Sequence, residues 1–546
     1  MNNIYTNLID SITNELKMYS LDEDVQFSLS KIDGYDLQIN NLVKYNKEKF
    51  FPKLQEKIIE IIKDSQIFEN TDKNDVGFIN LSLNHKFLMN KITNTKNDFI
   101  NNKKHKIIFD YGGPNIGKPL HVGHMRTLNI GRSLYNIHSF INNKVISDIH
   151  LGDWGMPVAQ IITYLEKEDI DPESVDSNQL EMIYPKASEE YKRNDDFKNR
   201  AQQVNKLLNN NDKNMLGIWK IIKNTSVDSL EKDLKTLNHR FDFWLGESDV
   251  NDLIPGMIDD LIKNKKVIKD QGALISAEDV DPKVLITKSD GSYLYITTDL
   301  ATILYRQLNI EYDKAFYIVD NRQSLHFKQL FDSIKFFELN DLYHEHIAYG
   351  TLNDSKGNPF KTREGGTKPL GELFDETFKY IKNINNSLSD STITCLTNSV
   401  LTFSDLITNR KTDYKFDLEK FTNVNGKTGI YVQYSQVRAK KLINTIGNQS
   451  KEIKALILNK TDKQLLSKLF LFSYYLEQSA LLNEPHHLAN YLYEISNLFN
   501  QFYENEKLSS ITDPNHIASK LFITNLFLTT SHNTMFCLGI LPVNEM

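Results

Sequence analysis

Cysteine is nearly missing from this chain: Cys395 and Cys537 are its two cysteines in 546 residues. No CxxC pair or Cys/His cluster occurs, which argues against a disulfide framework and a cysteine zinc site. No apolar run is long enough to span a bilayer. Nor is a basic, then apolar, cleavable leader expected. The opening MNNIYTNLIDSITNEL carries acids at amphipathic spacing and reads as a first helix. Nor is there an excess of positive charge. A net charge of −7 argues against a nonspecific nucleic-acid coat, although a local basic face would suffice to attract phosphates. We therefore expect a soluble, cytoplasmic protein in a reducing compartment, without membrane attachment or protein-bound zinc.

What is present is an ordinary globular balance, 40% hydrophobic and 25% charged. The length is too great for one core, so several domains are expected. Residues 1–103 read as a small α/β module, with a Lys-rich helix near KYNKEKFFPKLQEKIIEIIKD and the strand-like GFINLSL. A second unit, 104–373, begins at KKHKIIFDYGG, a short apolar run ending in two glycines. A helix from about His124 to Phe140 and the strand KVISDIHLG follow. Strand, loop, helix, strand is a βαβ unit, so a parallel sheet is expected. Residues 160–285 read as a mostly helical, polar insertion. Strand-like LITKSDGSYLYIT and KAFYIVD then return the chain to the sheet. From 374 to 546 apolar and aromatic residues recur at helical spacing, as in HLANYLYEISNLFNQFY, which predicts an all-α bundle.

The sharpest segment is FDYGGPNIGKPLHVGHMRT, residues 109–127. His121 and His124 flank Val122 and Gly123 where a strand has ended and a helix begins. A helix N-terminus attracts phosphate, and imidazole N–H groups there can donate to phosphate oxygens more strongly as charge builds. Gly123 has no Cβ, so a flat purine can lie against the backbone. Lys118 adds a mobile charge on the same loop. In isolation, two histidines this far apart are more often ordinary loop residues. Tyr295 and Asp299, in DGSYLYITTDLA, stand four apart at a strand-to-helix transition. A carboxylate with a flat wall beside it suits a guanidinium, yet Asp299 alone would serve equally as a helix cap.

These segments together resemble the class I aminoacyl-tRNA synthetases. HVGH resembles their HIGH signature, and PNIGKPL before it resembles the arginyl-tRNA synthetase form. HLGDWG at 150–155 follows the next strand as in that family; Trp154 there reads as architectural. The resemblance implies a Rossmann-type parallel-sheet catalytic domain with a helical insertion, between a small α/β domain and an all-α anticodon-binding bundle. It implies arginine–tRNA ligase activity with ATP, Mg²⁺, L-arginine and tRNA(Arg), and a first step that needs tRNA. His121, Gly123 and His124 would hold ATP, together with Pro114 and with His326 of VDNRQSLHFKQLF. Asp110, Asn115, Tyr295, Asp299 and Gln323 would bind arginine. In LNDSKGNPFKTREGGTKPL, 352–370, the KMSKS loop of the family is replaced by Phe360, Lys361, Thr362 and Arg363, so Lys361 and Arg363 are catalytic candidates. Lys118 would compensate for the departure, while Lys368 reads as part of a solvated turn. YVQYSQVR, with Tyr431, Tyr434 and Arg438, resembles the opening of the family's anticodon-binding domain. Its alternating rings and cations, with Lys440 and Lys441, suit unpaired bases and phosphate. Asn80, in the strand INLSL, would meet the tRNA elbow. We expect a monomer.

Two rivals remain in view. A HIGH-type nucleotidyltransferase of small metabolites would not need the long helical C-terminus or the GDWG and YVQY words. A tRNA-binding paralogue without catalysis would not need His121, His124, Tyr295, Asp299 and Gln323 together. A cysteinyl synthetase is disfavoured by the lack of a cysteine zinc site.

Overall fold

The computed structural model describes residues 6–23, 25–74, 76–87, 104–277, 283–289, 291–358, 360, 368–446, 456–505 and 511–546. The first unit holds α1 (Thr6–Met18), β1 (Phe27–Leu29), β2 (Leu37–Ile39), α2 (Phe51–Asp64), β3 (Phe68–Lys73) and β4 (Ile79–Leu83). Its strands form an antiparallel sheet in the order β1-β2-β4-β3. Helix α2 buries Leu54, Ile58 and Ile62, one face at four-residue spacing, and starts with proline in its first turn, where no amide partner is lost.

The second unit begins with β5 (Lys106–Tyr111), α3 (His124–Phe140) and β6 (Lys144–Asp148). The chain then leaves the sheet through α4 (Met156–Lys167), α5 (Ser177–Arg193), α6 (Asp195–Asn209), α7 (Lys213–Thr236) and α8 (Ile254–Lys263). A small antiparallel sheet follows, made of β7 (Val267–Asp270), β8 (Ala273–Ser276) and β9 (Leu285–Thr287). The main sheet resumes with α9 (Tyr295–Asn309), β10 (Lys314–Ile318), α10 (Ser324–Phe336) and β11 (Tyr343–His346). Its four strands are parallel, in the order β11-β10-β5-β6.

The segment LITKSDGSYLYIT therefore departs from its sequence reading. Leu285–Thr287 pairs within the small sheet, and Tyr295 already opens α9. A three-residue strand, Leu-Ile-Thr, is too short for its periodicity to choose between the two sheets.

This order places the ligand crevice. From β5 the chain steps to β6 on one side and later to β10 on the other. The two crossovers diverge at the carboxyl ends of β5 and β10, and such a switch point opens a crevice there. Asp110 sits near that end of β5, in register with Asp148 of β6 and Tyr317 of β10.

Beyond the sheet, β12 (Leu352–Asn353) pairs in parallel with β13 (Tyr414–Lys415). The rest is helical: α11 (Leu370–Ile384), α12 (Asp390–Leu406), α13 (Leu418–Phe421), α14 (Gly429–Ile446), α15 (Lys460–Phe470), α16 (Phe472–Leu481), α17 (His486–Asn505) and α18 (Pro514–Leu538). Phe499 of α17 and Phe527 of α18 stack at 4.1 Å in its core. Helix α3 packs on this bundle through Ser133, whose hydroxyl donates to the Cys537 carbonyl at 3.0 Å. Among the described residues no helix is long and apolar enough to cross a membrane.

Candidate active site

The turn between β5 and α3 is built so that two imidazoles face one way. The His121 amide donates to His124 Nδ1 at 3.0 Å, and the Gly123 amide donates to His121 Nδ1 at 3.1 Å. The rings lie 3.9 Å apart. A neutral imidazole whose Nδ1 accepts must carry its proton on Nε2. Both Nε2 atoms are thereby committed as donors. Burial pushes His124 down to about 3, and burial with the Lys118 and Arg322 charges lowers His121. The pair therefore donates as neutral imidazole. Gly123 is required by packing: a Cβ there would meet the His121 ring at 2.8 Å. That reason differs from the purine contact inferred from sequence.

These histidines line a cleft of about 620 Å³ at the switch point. Its floor is a charged cluster. Arg306 Nη2, from α9, lies 2.5 Å from Asp110 Oδ2 and 2.6 Å from Asp148 Oδ2. His150, from HLGDWG, lies alongside, 3.9 Å from Asp148. Burial alone would lower His150, but the Asp148 carboxylate carries it above the ordinary histidine range. Burial raises Asp110, with Arg306 pulling the other way. Burial also opposes ionisation of Asp148, yet Arg306 and His150 hold it below the usual carboxylate range.

The opposite wall comes from α9 and α10. Asp299 is in the second turn of α9, whose N-cap is Leu294, so the capping reading of Asp299 does not apply. Its Oδ2 instead lies 2.6 Å from His326 Nε2. The Asp299 hydrogen bond raises His326. Tyr295 stands one turn earlier, 75% exposed, beside the cleft rather than in its lining. Gln323 caps the start of α10 without a side-chain hydrogen bond and lines the cleft. The structure thus gathers Asp110, His121, Gly123, His124, Asp299 and Gln323 around one cavity, with His326 behind Asp299.

Other expected residues are not among those that line the cleft. Pro114 is buried, and its carbonyl accepts from the Gly152 amide at 3.1 Å. Asn115 bridges the same glycine; a Cβ on Gly152 would meet Asn115 Oδ1 at 2.0 Å. Lys118 points its ammonium over the Tyr184 ring of α5, 4.2 Å from the centroid. Lys361 and Arg363 lie outside the described residues, but Phe360 just before them lines the cleft. Lys368 is not solvated as the sequence reading had it. Its side chain is largely covered and paired with Glu376, while its carbonyl accepts from the Val122 amide. Trp154 packs edge-on against Trp219 and donates to Asn209, an architectural role.

In α14, Arg438 is held over the Tyr434 ring at 4.3 Å and the Tyr503 ring at 5.0 Å. It also pairs with Glu504 at 2.9 Å. Tyr431 donates to Asn497 and faces Tyr493. Lys440 is spent on the C-terminal segment, donating to the Val543 carbonyl and Asn544. Asn80 is 5% exposed in its sheet, accepting from Gln38. Among the described residues Glu484, His486 and His487 bring metal-ligand-type atoms together, but away from the cleft lining, and Lys411 already pairs with Glu484.

Sequence reasoning missed Arg306, His150 and Glu247. Glu247 is partly buried next to Asp299 and Tyr295, and burial pushes it up to about 7. Arg306 is a single arginine in a helix, 196 residues from Asp110, and no local pattern marks it. HLGDWG carries a local signal for His150 as well as for Trp154.

A family model described as tRNA synthetases class I (R), catalytic domain, matches residues 86–418. A second, described as DALR anticodon binding domain, matches residues 432–546. The arginine–tRNA ligase of Francisella tularensis subsp. novicida is 34% identical over 496 residues, spanning 84% of this chain and 85% of that protein. That of Agathobacter rectalis is 33% identical over 523 residues, spanning 87% of each. Among solved structures, Plasmodium falciparum arginyl-tRNA synthetase matches with a TM-score of 0.80 at 23% identity, covering 100% of both chains. The Thermus thermophilus arginyl-tRNA synthetase matches at 0.81 with 18% identity, covering 99% of this chain and 100% of its own.

Proposed function

Since the chain belongs to the class I tRNA synthetases of the R type, we propose that it is an arginine–tRNA ligase, activating L-arginine with ATP and loading it onto tRNA(Arg). One observation carries this reading: a pair of neutral imidazole donors and a set of carboxylates line the same cleft. Asp110 and Asp299 suit the guanidinium of arginine. The His121 and His124 Nε2–H groups, at the start of α3, suit the phosphates of ATP.

The arginine carboxylate attacks the α-phosphorus, the bond to diphosphate breaks, and arginyl-adenylate forms. A terminal ribose hydroxyl of the tRNA then attacks the carbonyl carbon, AMP leaves, and the ester remains on the tRNA. No side chain becomes a covalent nucleophile. The residues act by positioning and by stabilising charge on the phosphates. Mg²⁺ bound with ATP would supply positive charge to offset that of the phosphates. Pro114, Asn115 and His326 complete the ATP and arginine subsites in this reading, and Lys118, Lys361 and Arg363 serve the diphosphate. The unit up to residue 103 meets the tRNA elbow, with the buried Asn80 holding Gln38 in its sheet rather than touching the RNA. The bundle from 374 onward, with Tyr431, Tyr434 and Arg438, meets the anticodon. The enzyme works as a cytoplasmic monomer.

Arginine-dependent ATP–diphosphate exchange, with and without tRNA(Arg), tests the reading. Exchange and formation of a base-labile arginyl ester are expected, both requiring tRNA. Failure to charge any arginine tRNA would overturn it.

A further inference from the structure

We propose that Arg306 is a positioning residue for arginine recognition: it ties down one oxygen of Asp110 and supplies the charge that lets Asp110 and Asp148 stay ionised side by side. This rests on the reading above that Asp110 accepts from the substrate guanidinium. The two aspartates stand in register on neighbouring strands. One nitrogen, Arg306 Nη2, lies within hydrogen-bond distance of Oδ2 of both. Asp148 and Arg306 are fully buried, whereas Asp110 keeps 15% of its side chain open at the cleft.

The geometry suits this role better than that of a saturated structural arginine. Arg306 Nε and Nη1 find no acceptor among the described residues. Its placement is set by the two carboxylates, and by the Tyr317 ring 5.8 Å away. Asp110 is engaged through Oδ2, so its other oxygen is left for a ligand. The charged and titratable groups facing this pair are few. Asp148 and His150 come from β6 and the turn after it, Arg306 from α9, and Tyr317 from β10. Tyr312 and His344 face Arg306 from the far side.

With Arg306 gone, the two adjacent buried carboxylates keep only His150, on the Asp148 side, as a neighbouring cation, and they share a proton more readily. Without Arg306, Asp110 would therefore be neutral around pH 7 and unable to hold a guanidinium as an ion pair. Raising the pH would restore its charge. A purely structural arginine would produce no such recovery.

The test is the KM for arginine in tRNA(Arg) charging, measured from pH 6.5 to 9 for the full chain. Arg306→Gln should raise KM at low pH and lose the defect as pH rises, by about tenfold per pH unit below the shifted Asp110 value. Arg306→Lys, which keeps the charge, should stay near wild type. Arg306→Gln with Asp148→Asn removes the competing carboxylate and should bring KM and its pH profile back towards those of the wild type. That double variant and the lysine variant decide the matter if Arg306→Gln does not fold. An equal KM defect at every pH, or a double variant no better than the single one, overturns the proposal. Asp110→Asn separates this from the underlying reading. It should raise KM at all pH values, and an unchanged KM there would remove Asp110 from arginine binding and the proposal with it.

Discussion

Asp299 and His326 form a hydrogen-bonded pair, with 2.6 Å between Oδ2 and Nε2, across the gap between two helices at the cleft wall. The carboxylate is 33% exposed and the imidazole 28%. This pairing, and the Leu294 cap of α9, define what Asp299→Asn should do. The helix keeps its start, and the lost surface pair is worth at most about 1 kcal/mol, so the melting temperature should hardly move. Arginine loses a charge-assisted acceptor worth about 1.5–3 kcal/mol, so its KM should rise roughly ten- to hundredfold. The KM for ATP should not change. A large fall in melting temperature with unchanged arginine affinity would make Asp299 structural.

The histidine pair predicts a rate effect without a pH signature. Removing one transition-state donor costs on the order of a hundredfold in turnover. His124→Ala should show that loss in kcat while tRNA affinity is kept. Burial pushes His124 down to about 3, so it stays neutral across pH 6–9. At saturating arginine, kcat should therefore be flat over that range. An inflection near pH 6 that vanished in His124→Ala would mean that the pair acts as a cation.

Glu247 should supply the pH dependence that the histidines lack. Its carboxyl is raised by burial to about 7, with Asp153 and Asp299 adding to the shift and His150 opposing it. A raised carboxylate gains its charge as pH climbs through that value. Arginine capture, read as kcat/KM, should thus increase between pH 6 and 8 and then level off, reporting the free enzyme. Glu247→Gln should lower the plateau and abolish the slope. A slope that survived the substitution would assign the titration to another group.

The parts of the site legible in the sequence are those written locally. HVGH, HLGDWG and the Tyr295–Asp299 spacing each lie within one turn or helix. The helix expected from His124 to Phe140 has those bounds in the structure. The charged floor was not legible, because Asp110, Asp148 and Arg306 meet only through sheet register and a helix packed 158 residues downstream. The His326 partner was hidden for the same reason. Sequence placed His326 near the nucleotide, and packing sets it on Asp299. The strand at Leu285–Thr287 was visible, but its sheet was not, since a three-residue strand does not specify which edge it joins.

In the bundle, Arg438 sits between Tyr434 and Tyr503, with Glu504 competing for its charge. Arg438→Ala should raise the KM for tRNA, leave that for ATP unchanged and flatten the salt dependence of binding, because phosphate contacts release counterions. Glu504→Gln should do the reverse and tighten tRNA binding at low salt. If neither variant alters tRNA affinity, the cluster belongs to the packing of α14 on α17.

The helix that starts at His124 is also fastened to the bundle, two residues further on. Arg126 Nε donates to Asp405 Oδ1 at 3.0 Å, and Nη1 donates to the Gly350 and Thr412 carbonyls at 2.7 and 2.9 Å. Asn129 reaches the second Asp405 oxygen at 3.2 Å. Arg126 and Asp405 are 1% and 0% exposed, so neither charge has water to fall back on. Asp405→Asn should then cost about 3–5 kcal/mol of stability, the penalty for stranding a buried cation. Replacing both partners by apolar residues, Arg126→Met with Asp405→Leu, should recover most of that stability, because no buried charge is left uncompensated. It should not recover turnover. The guanidinium holds the first turn of α3, the 350 segment and the bundle at one point, and a methionine makes none of those hydrogen bonds. Denaturant melts and kcat measured on the single and double variants separate the two roles. A double variant with both wild-type stability and wild-type kcat would reduce the clamp to packing.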